Sequence, residues 1–447
     1  MIRTDELPGI PCSQERLRES RGKASQLKFF VTGLCLQGNK GGPAIALSLM
    51  AALRRHIPSA SFIFVVPPPP QFEFEKRWAE YYGVPIVEDL WGITFWSFSP
   101  WRIIRDGLGT TYRRFKKLTK WYSALRSCQI VLDMTAISYA GPPEGTEVHA
   151  LSTRPRFFRA ARFARRRFLA WTQNYGPFST ARIARAAKAD LATLPAVYCR
   201  GSESLRHVQE LLPNKLCLLY PDVAVTLDYD KERGKPLVDQ CFEESPKGPL
   251  VTISPSAVIF GKCQSVGENY HVRSLIRLCE NLIEKGFTIL LVPHTFNPAM
   301  HNPAECDYAV CLSILSGIRP NRRLGIVHND LSAVDLKSII SNATLHIGAR
   351  YHSVIAALST GVPCISISWH HKYYDIMEMY GNQKFVVEGA GRTFNEDVLR
   401  LIDDVFLDYD CVVDKLKTAQ RKLENSVAEN ARHFASLVQP TREVREL

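Results

Sequence analysis

The residues best suited to chemistry in this chain crowd into 344–372. Thr344-Leu345-His346-Ile347-Gly348 reads as a buried strand, and Ala349-Arg350-Tyr351-His352-Ser353 opens a helix that runs to Thr360. Arg350 and His352 therefore stand where a strand hands over to a helix, beside free N–H groups and a positive dipole end. An arginine fork grips phosphate or carboxylate with two prongs, and a histidine gives or takes a proton near neutral pH. The next strand ends at Trp369-His370-His371-Lys372, which returns a cation and two imidazoles to the same sheet edge. Any one of these residues alone is more often a surface group or a helix cap. Their convergence on one edge points to a site that handles an anion and moves a proton.

The elements that must carry these residues alternate along the chain. Phe29-Phe30-Val31-Thr32-Gly33 is a short buried strand, Gly38-Asn39-Lys40-Gly41-Gly42-Pro43 a loop, and 44–55 a helix. Strands follow at 62–66, 130–133, 169–172 and 216–220, with helices at 74–82, 157–167, 181–189 and 202–212 between them. Such alternation is the mark of a parallel α/β sheet. The proline-containing, charged segment 228–249 interrupts the pattern and is expected to be a linker. Beyond it, strands at 250–254, 288–293, 324–327, 344–347 and 364–368 alternate with helices at 271–284, 333–340 and 354–359. The expected architecture is a flexible leader over 1–27, an α/β domain over 28–227, the linker, and a second α/β domain over 250–411. A charged helix in 412–447 is expected to pack back across the junction.

At 447 residues the chain is long enough for two or more domains, each with its own core. With 46% hydrophobic and 22% charged residues it is neither disordered, collagenous nor coiled coil. The net charge of +12 points to an anionic ligand or surface. Its excess is local: 101–190 carries 18 Lys or Arg against 5 Asp or Glu, a net +13. The 12 cysteines are scattered with no CxxC pair, which favours a reducing compartment. The first 28 residues contain no apolar core of signal-peptide length, and no apolar run approaches about 18 residues. A cytoplasmic location is expected.

Gly348-Ala349-Arg350-Tyr351-His352-Ser353, followed by Ala357-Leu358, Gly361-Val362-Pro363 and Lys372, resembles the carboxyl-terminal signature of polysaccharide pyruvyl transferases. The 38–43 loop is similar to that family's amino-terminal Asn/Gly loop, and Tyr175-Gly176-Pro177-Phe178 to its Gly-Pro turn. Arg200 to Ser204, Tyr220-Pro221-Asp222-Val223-Ala224, Ser254-Pro255 and Val292-Pro293-His294 continue the match in order, so that it covers about 28–385. The resemblance implies two Rossmann-like domains facing a cleft, a GT-B-like α/β fold. The implied reaction moves the pyruvyl group of phosphoenolpyruvate onto two hydroxyls of a sugar, forms a cyclic ketal and releases phosphate. Phosphoenolpyruvate is a co-substrate here and no cofactor is implied; the acceptor saccharide could be lipid-linked.

On that basis His352 is the expected general acid toward the methylene carbon, and Arg350 the clamp on phosphate or carboxylate. Arg200 is expected at the opposite anionic end of the donor, with Lys372, His294 and Ser254 as further donor contacts. Asn39, Gly41 and Gly42 fall on the acceptor side. Asp222 and Glu203 are open choices for the base that takes the sugar hydroxyl proton. One departure stands out, since Gly42 occupies a position where the family loop commonly carries Asp.

Two other readings fit parts of the chain. A nucleotide-sugar glycosyltransferase would use the same fold and similar cations. The Arg154–Arg167 run, with Phe157, Ala161, Ala164 and Phe168 on one helical face, could equally lie on anionic lipid at the inner membrane face or pack on the sheet. Nucleic acid is not expected, because no recognised binding motif accompanies the charge. No metal site is expected either: His370 and His371 are adjacent in sequence, and His294 and His301 are separated by an irregular Asn-Pro stretch.

Overall fold

A computed structural model of the chain describes residues 27–68, 71–90, 104, 107–141, 147–245, 247–263, 269–296, 306–389 and 394–439. The leader up to residue 26 and His301 lie outside the described residues.

The first half builds a parallel sheet from β1 (Lys28–Thr32), β2 (Ser61–Val66), β3 (Ile86–Glu88), β4 (Ile130–Asp133) and β6 (Arg167–Ala170), in the order β3-β2-β1-β4-β6. Its central strands, Phe-Phe-Val-Thr and Ile-Val-Leu-Asp, are buried along their length, as a sheet covered on both faces requires. Short parallel pairs, β5 (Ile137–Ser138) with β7 (Asn174–Tyr175) and β8 (Val197–Cys199) with β9 (Cys217–Leu219), lie beyond the sheet's carboxyl edge in sequence.

The second half holds β10 (Leu250–Ser254), β11 (Thr288–Leu291), β12 (Leu324–Ile326), β13 (Leu345–Gly348), β14 (Cys364–Ser368) and β15 (Val386–Glu388). They pair in parallel as β12-β11-β10-β13-β14-β15. Numbered within its own domain this is 3-2-1-4-5-6, the order of dinucleotide-binding sheets. In both sheets the chain reverses direction across the sheet beside the first strand. The loops at these switch points follow Thr32 and Asp133 in one sheet, and Ser254 and Gly348 in the other.

Two expectations need correction. The segment expected to be a linker contains a helix, Lys231–Asp239, whose first N–H groups are accepted by Asp230 Oδ1. It docks on the helix Ala333–Ile340 through Arg233 to Asp335 at 2.6 Å, with Gly234 so close to the Ser338 carbonyl that no side chain fits. Proline at position 236 suggested a break, but the helix runs through it, forgoing only the bond that an amide there would make to the carbonyl four residues back. The basic helix spans Glu147–Phe163 and stops before Arg167, which opens β6. Arg165 takes a left-handed φ of 52°, and the Arg166 amide reaches back to the Ala161 carbonyl at 2.8 Å, which closes the helix. Phe157, Ala161 and Ala164 are packed into the core, so this segment spends its apolar face on its own sheet. Arg156 pairs with Asp89; the Arg154 side chain lies outside those described.

The helix Tyr409–Val438, about 45 Å long at 1.5 Å per residue, touches both sheets. Tyr409 donates to the Thr344 carbonyl at 3.0 Å near its start. Further along, Gln420 donates to the Val225 carbonyl at 3.0 Å and Asn430 to Thr172 at 2.6 Å. Phe434 then packs among Phe29, Trp171 and Tyr198. The helix thus straps the second domain to the first.

Candidate active site

The two switch points meet. The loop after β1 lies against the loop after β11: Asn39 bridges Thr295 in antiparallel fashion, the Lys40 amide donates to the His294 carbonyl at 2.9 Å, and Phe296 donates to Gly38 at 3.2 Å. Lys40 Nζ pairs with Asp330 beyond β12 while lying 4.1 Å from the Trp78 ring centre. Between these elements is a cavity with room for about one water molecule, lined by Lys40, His294, Lys337 and His352 and walled by small apolar side chains.

His352 is the second residue of the helix Tyr351–Ser359, which the Arg350 backbone enters in an extended conformation. Its Nε2 faces Asp222 Oδ2 from the other domain at 3.5 Å, an ion-pair separation rather than a good hydrogen bond. On its other side the ring lies against Gly41, where an added Cβ would come within 2.1 Å of Nδ1. Gly41 thus serves the site by absence, and Gly41→Ala is expected to push the imidazole off Asp222. Turnover should fall at least tenfold while the thermal midpoint moves little, as steady-state kinetics and a melting curve would show. Burial lowers the pKa of His352, the Asp222 carboxylate raises it, and the cations Arg200 and Lys372 lower it further, leaving it below 6.5.

Asp222 is the hub of the first domain's contribution. Burial alone would raise its pKa, but the Arg200 guanidinium outweighs that and holds the carboxylate far below the usual range. Its Oδ1 also accepts the Ala224 amide at 2.9 Å. Arg200 uses all three nitrogens on protein: Nε on Asn174 at 2.7 Å, Nη1 on Asp222, Nη2 on the Ala136 carbonyl at 3.0 Å. Its guanidinium carbon stands 5.0 Å from the Tyr351 ring centre.

Arg350 is also committed. Its Nε donates to both oxygens of Asp307, at 2.9 and 2.7 Å, and Nη2 reaches Asp307 as well. The two arginines expected to grip the donor therefore brace carboxylates of the protein, which in turn set the start of the His352 helix. Lys372 sits within 5.6 Å of the ring centres of Tyr351, Trp369 and Tyr373. Ser254 donates to the Val292 carbonyl at 2.8 Å and lies 3.4 Å from His294 Nδ1. Burial drives the His294 pKa well below its usual value, so the ring is neutral. Asn39 accepts the Gly41 amide at 3.0 Å. At Gly42 an added Cβ would lie 1.9 Å from the Cys35 carbonyl, so this backbone has no place for the carboxylate that the resemblance led one to look for. Glu203 is half-buried and paired with Arg206 at 2.7 Å.

Sequence reasoning passed over Lys40, Lys337 and Asp307. Lys337 donates to the Leu227 carbonyl at 2.7 Å, and burial brings its pKa down to about 7. A lysine within the otherwise apolar face of 333–340 was the available signal. Asp307 offered none, lying 43 residues from its partner. Among the described residues, no group of three or more His, Cys, Asp or Glu side chains gathers to hold a metal.

A family profile for polysaccharide pyruvyl transferases matches residues 39–371, which includes every site residue discussed above except Lys372. The chain belongs to the polysaccharide pyruvyl transferase family. The amylovoran biosynthesis protein AmsJ of Erwinia amylovora is 22% identical over 123 residues, 27% of this chain and 29% of that one, so the chain matches well under half of this relative. Among solved structures, Anabaena Alr3699/HepE in complex with UDP and glucose superposes with a TM-score of 0.54 at 12% identity, covering 93% of this chain and all of that chain. UDP-GlcNAc 2-epimerase from Neisseria meningitidis gives 0.53 at 9% identity over 92% of this chain and all of the epimerase. Both likenesses concern the fold, which is α/β and GT-B-like.

Proposed function

We propose that this pyruvyl transferase takes the pyruvyl group from phosphoenolpyruvate and places it on two hydroxyls of a saccharide as a ketal. The observation that carries the reading is the cavity where the family's carboxyl-terminal signature meets its amino-terminal loop, with His352, His294, Lys40 and Lys337 around it. Four basic groups around one small space suit a ligand with phosphate and carboxylate ends. Protonated His352 delivers its proton to the methylene carbon, which leaves C2 cationic. One sugar hydroxyl attacks C2, phosphate departs, and the second hydroxyl closes the ketal. Of the two hydroxyl protons released, one replaces that of His352 and the other leaves with phosphate. Asp222, ionised and aimed at the imidazole, stabilises its protonated form.

A cavity this small does not admit the donor as it stands, so entry requires the Asn39–Thr295 and Lys40–Asp330 contacts to part. Lys40 and Lys337, whose pKa values burial lowers, regain full charge when the anion arrives. In a thermal-shift comparison, phosphoenolpyruvate should raise the melting midpoint by several degrees, and UDP-sugars should leave it unchanged. Phosphate should then be released on adding a saccharide acceptor. Stabilisation by UDP-sugars alone would replace this reading with a nucleotide-sugar glycosyltransferase. The saccharide is proposed to be part of a polysaccharide or its lipid-linked precursor, handled in the cytoplasm.

A further inference from the structure

The basic excess of the first domain has a second centre, separate from the arginine run whose phenylalanine is buried. The helix Leu108–Ser127 carries six Lys or Arg and no acidic residue. One face is anchored: Trp121 packs edge-on against Phe30 at 5.2 Å, and Leu125 is buried. A second face is apolar and open. Leu108, Tyr112 and Phe115, at i, i+4 and i+7, are 79, 67 and 55% exposed. Tyr122 extends the same stripe at i+14 and meets Phe163 of the neighbouring helix, which is itself 79% exposed. Arg113, Lys116 and Lys120 flank this stripe on the solvent side, and Arg159 and Arg162 are exposed beside Phe163. An exposed surface gains nothing from three large apolar side chains in a row, whereas cations flanking them are the pattern of a helix that lies in a membrane interface.

The position of the helix supports this reading. It connects β3 to β4, and its midpoint is tied to the sheet's carboxyl edge by Lys117 to Glu88, the last residue of β3. A 20-residue helix is about 30 Å long, far longer than strands of three or four residues, so Leu108 to Phe115 overhang that edge. It is the edge from which the loop after β1 enters the candidate active site. No described helix is long and apolar enough to cross a membrane.

We propose that the helix Leu108–Ser127 lays its Leu108–Tyr112–Phe115 stripe on the surface of an anionic lipid bilayer, with Arg113, Lys116 and Lys120 at the headgroups. Insertion of the apolar stripe supplies the area term and the cations the attraction to acidic lipid. The proposal is independent of the pyruvyl chemistry, because it concerns how the enzyme sits and not what it transfers.

The test is co-sedimentation of the full chain with phosphatidylcholine vesicles containing about a quarter phosphatidylglycerol, against phosphatidylcholine alone. Expected is pelleting with the acidic vesicles at least tenfold above the neutral ones. Tyr112→Ser/Phe115→Ser and Lys116→Gln/Lys120→Gln should each lower it at least fivefold, with melting midpoints and phosphate release toward a water-soluble acceptor unchanged. Both pairs are exposed, so loss of folding is not the expected reason for failure. Equal pelleting of wild type and Tyr112→Ser/Phe115→Ser overturns the proposal, as does binding without preference for acidic lipid. Two other outcomes also overturn it when vesicle binding is absent: duplex DNA binding, or self-association in sedimentation velocity, either one lost in the same variants.

Discussion

His352→Gln is expected to lower kcat for pyruvyl transfer about a thousandfold while the protein stays folded. Glutamine matches the imidazole in size and polarity and can still face Asp222 and pack on Gly41, so the domain contact has no reason to fail. What is lost is a group that can deliver a proton to carbon. The pH dependence supplies an independent reading. In the free enzyme the His352 pKa lies below 6.5, since burial and neighbouring cations outweigh Asp222. The acid form is therefore the minority species at pH 7, and kcat/KM should fall roughly tenfold per pH unit on the alkaline side of that pKa. A bound anion favours the protonated ring, so the fall in kcat should begin at higher pH than the fall in kcat/KM. The glutamine variant should show neither limb. Turnover within tenfold of wild type would remove His352 from the acid role, and would do so without touching the family assignment, which rests on 39–371.

The parts that were legible in the sequence are those set by local pattern. Alternating apolar runs and helical spacings implied two parallel α/β sheets; the 3-2-1-4-5-6 order, visible only in the folded chain, places Arg350 and His352 beside Ser254 at the switch point. Whether an arginine grips substrate or protein is not a local property. Arg200 finds Asp222 after 22 residues and Arg350 finds Asp307 after 43, and only the folded chain brings these pairs together. Asp222 was in view as a choice of base, yet its geometry makes it a permanently ionised partner of Arg200 and His352. The end of the basic helix was misplaced because Arg165 adopts a conformation that composition favours for glycine or asparagine. Gly41 and Gly42 were assigned to the acceptor side by resemblance. In the structure each is needed because another group, the His352 ring or the Cys35 carbonyl, occupies the space of its side chain.

Asp307→Ala should be the most destabilising single change among the residues discussed, by about 3–5 kcal/mol. Asp307 is fully buried at the first position of the helix Asp307–Ser316 and accepts from the Ala257 amide at 2.8 Å as well as from Arg350. Its removal strands a guanidinium whose side chain is only 13% exposed, and orphans an amide. For domains of roughly 200 residues each kcal/mol is worth about 2–4 °C, so the melting midpoint should drop by roughly 10 °C. The double variant Asp307→Ala/Arg350→Met removes both charges together and should recover most of that loss, because a buried pair costs nearly as much to desolvate as it returns. A single variant melting within about 2 °C of wild type would show that Arg350 does not depend on Asp307. The stable double variant then separates two roles for Arg350. If the arginine only braces the turn into the Tyr351–Ser359 helix, phosphoenolpyruvate KM should change little and kcat should fall as His352 loses its setting. If its guanidinium also grips the donor once the domains part, KM should rise at least tenfold, and Arg350→Lys should share that rise because the charge survives but the two-pronged geometry does not.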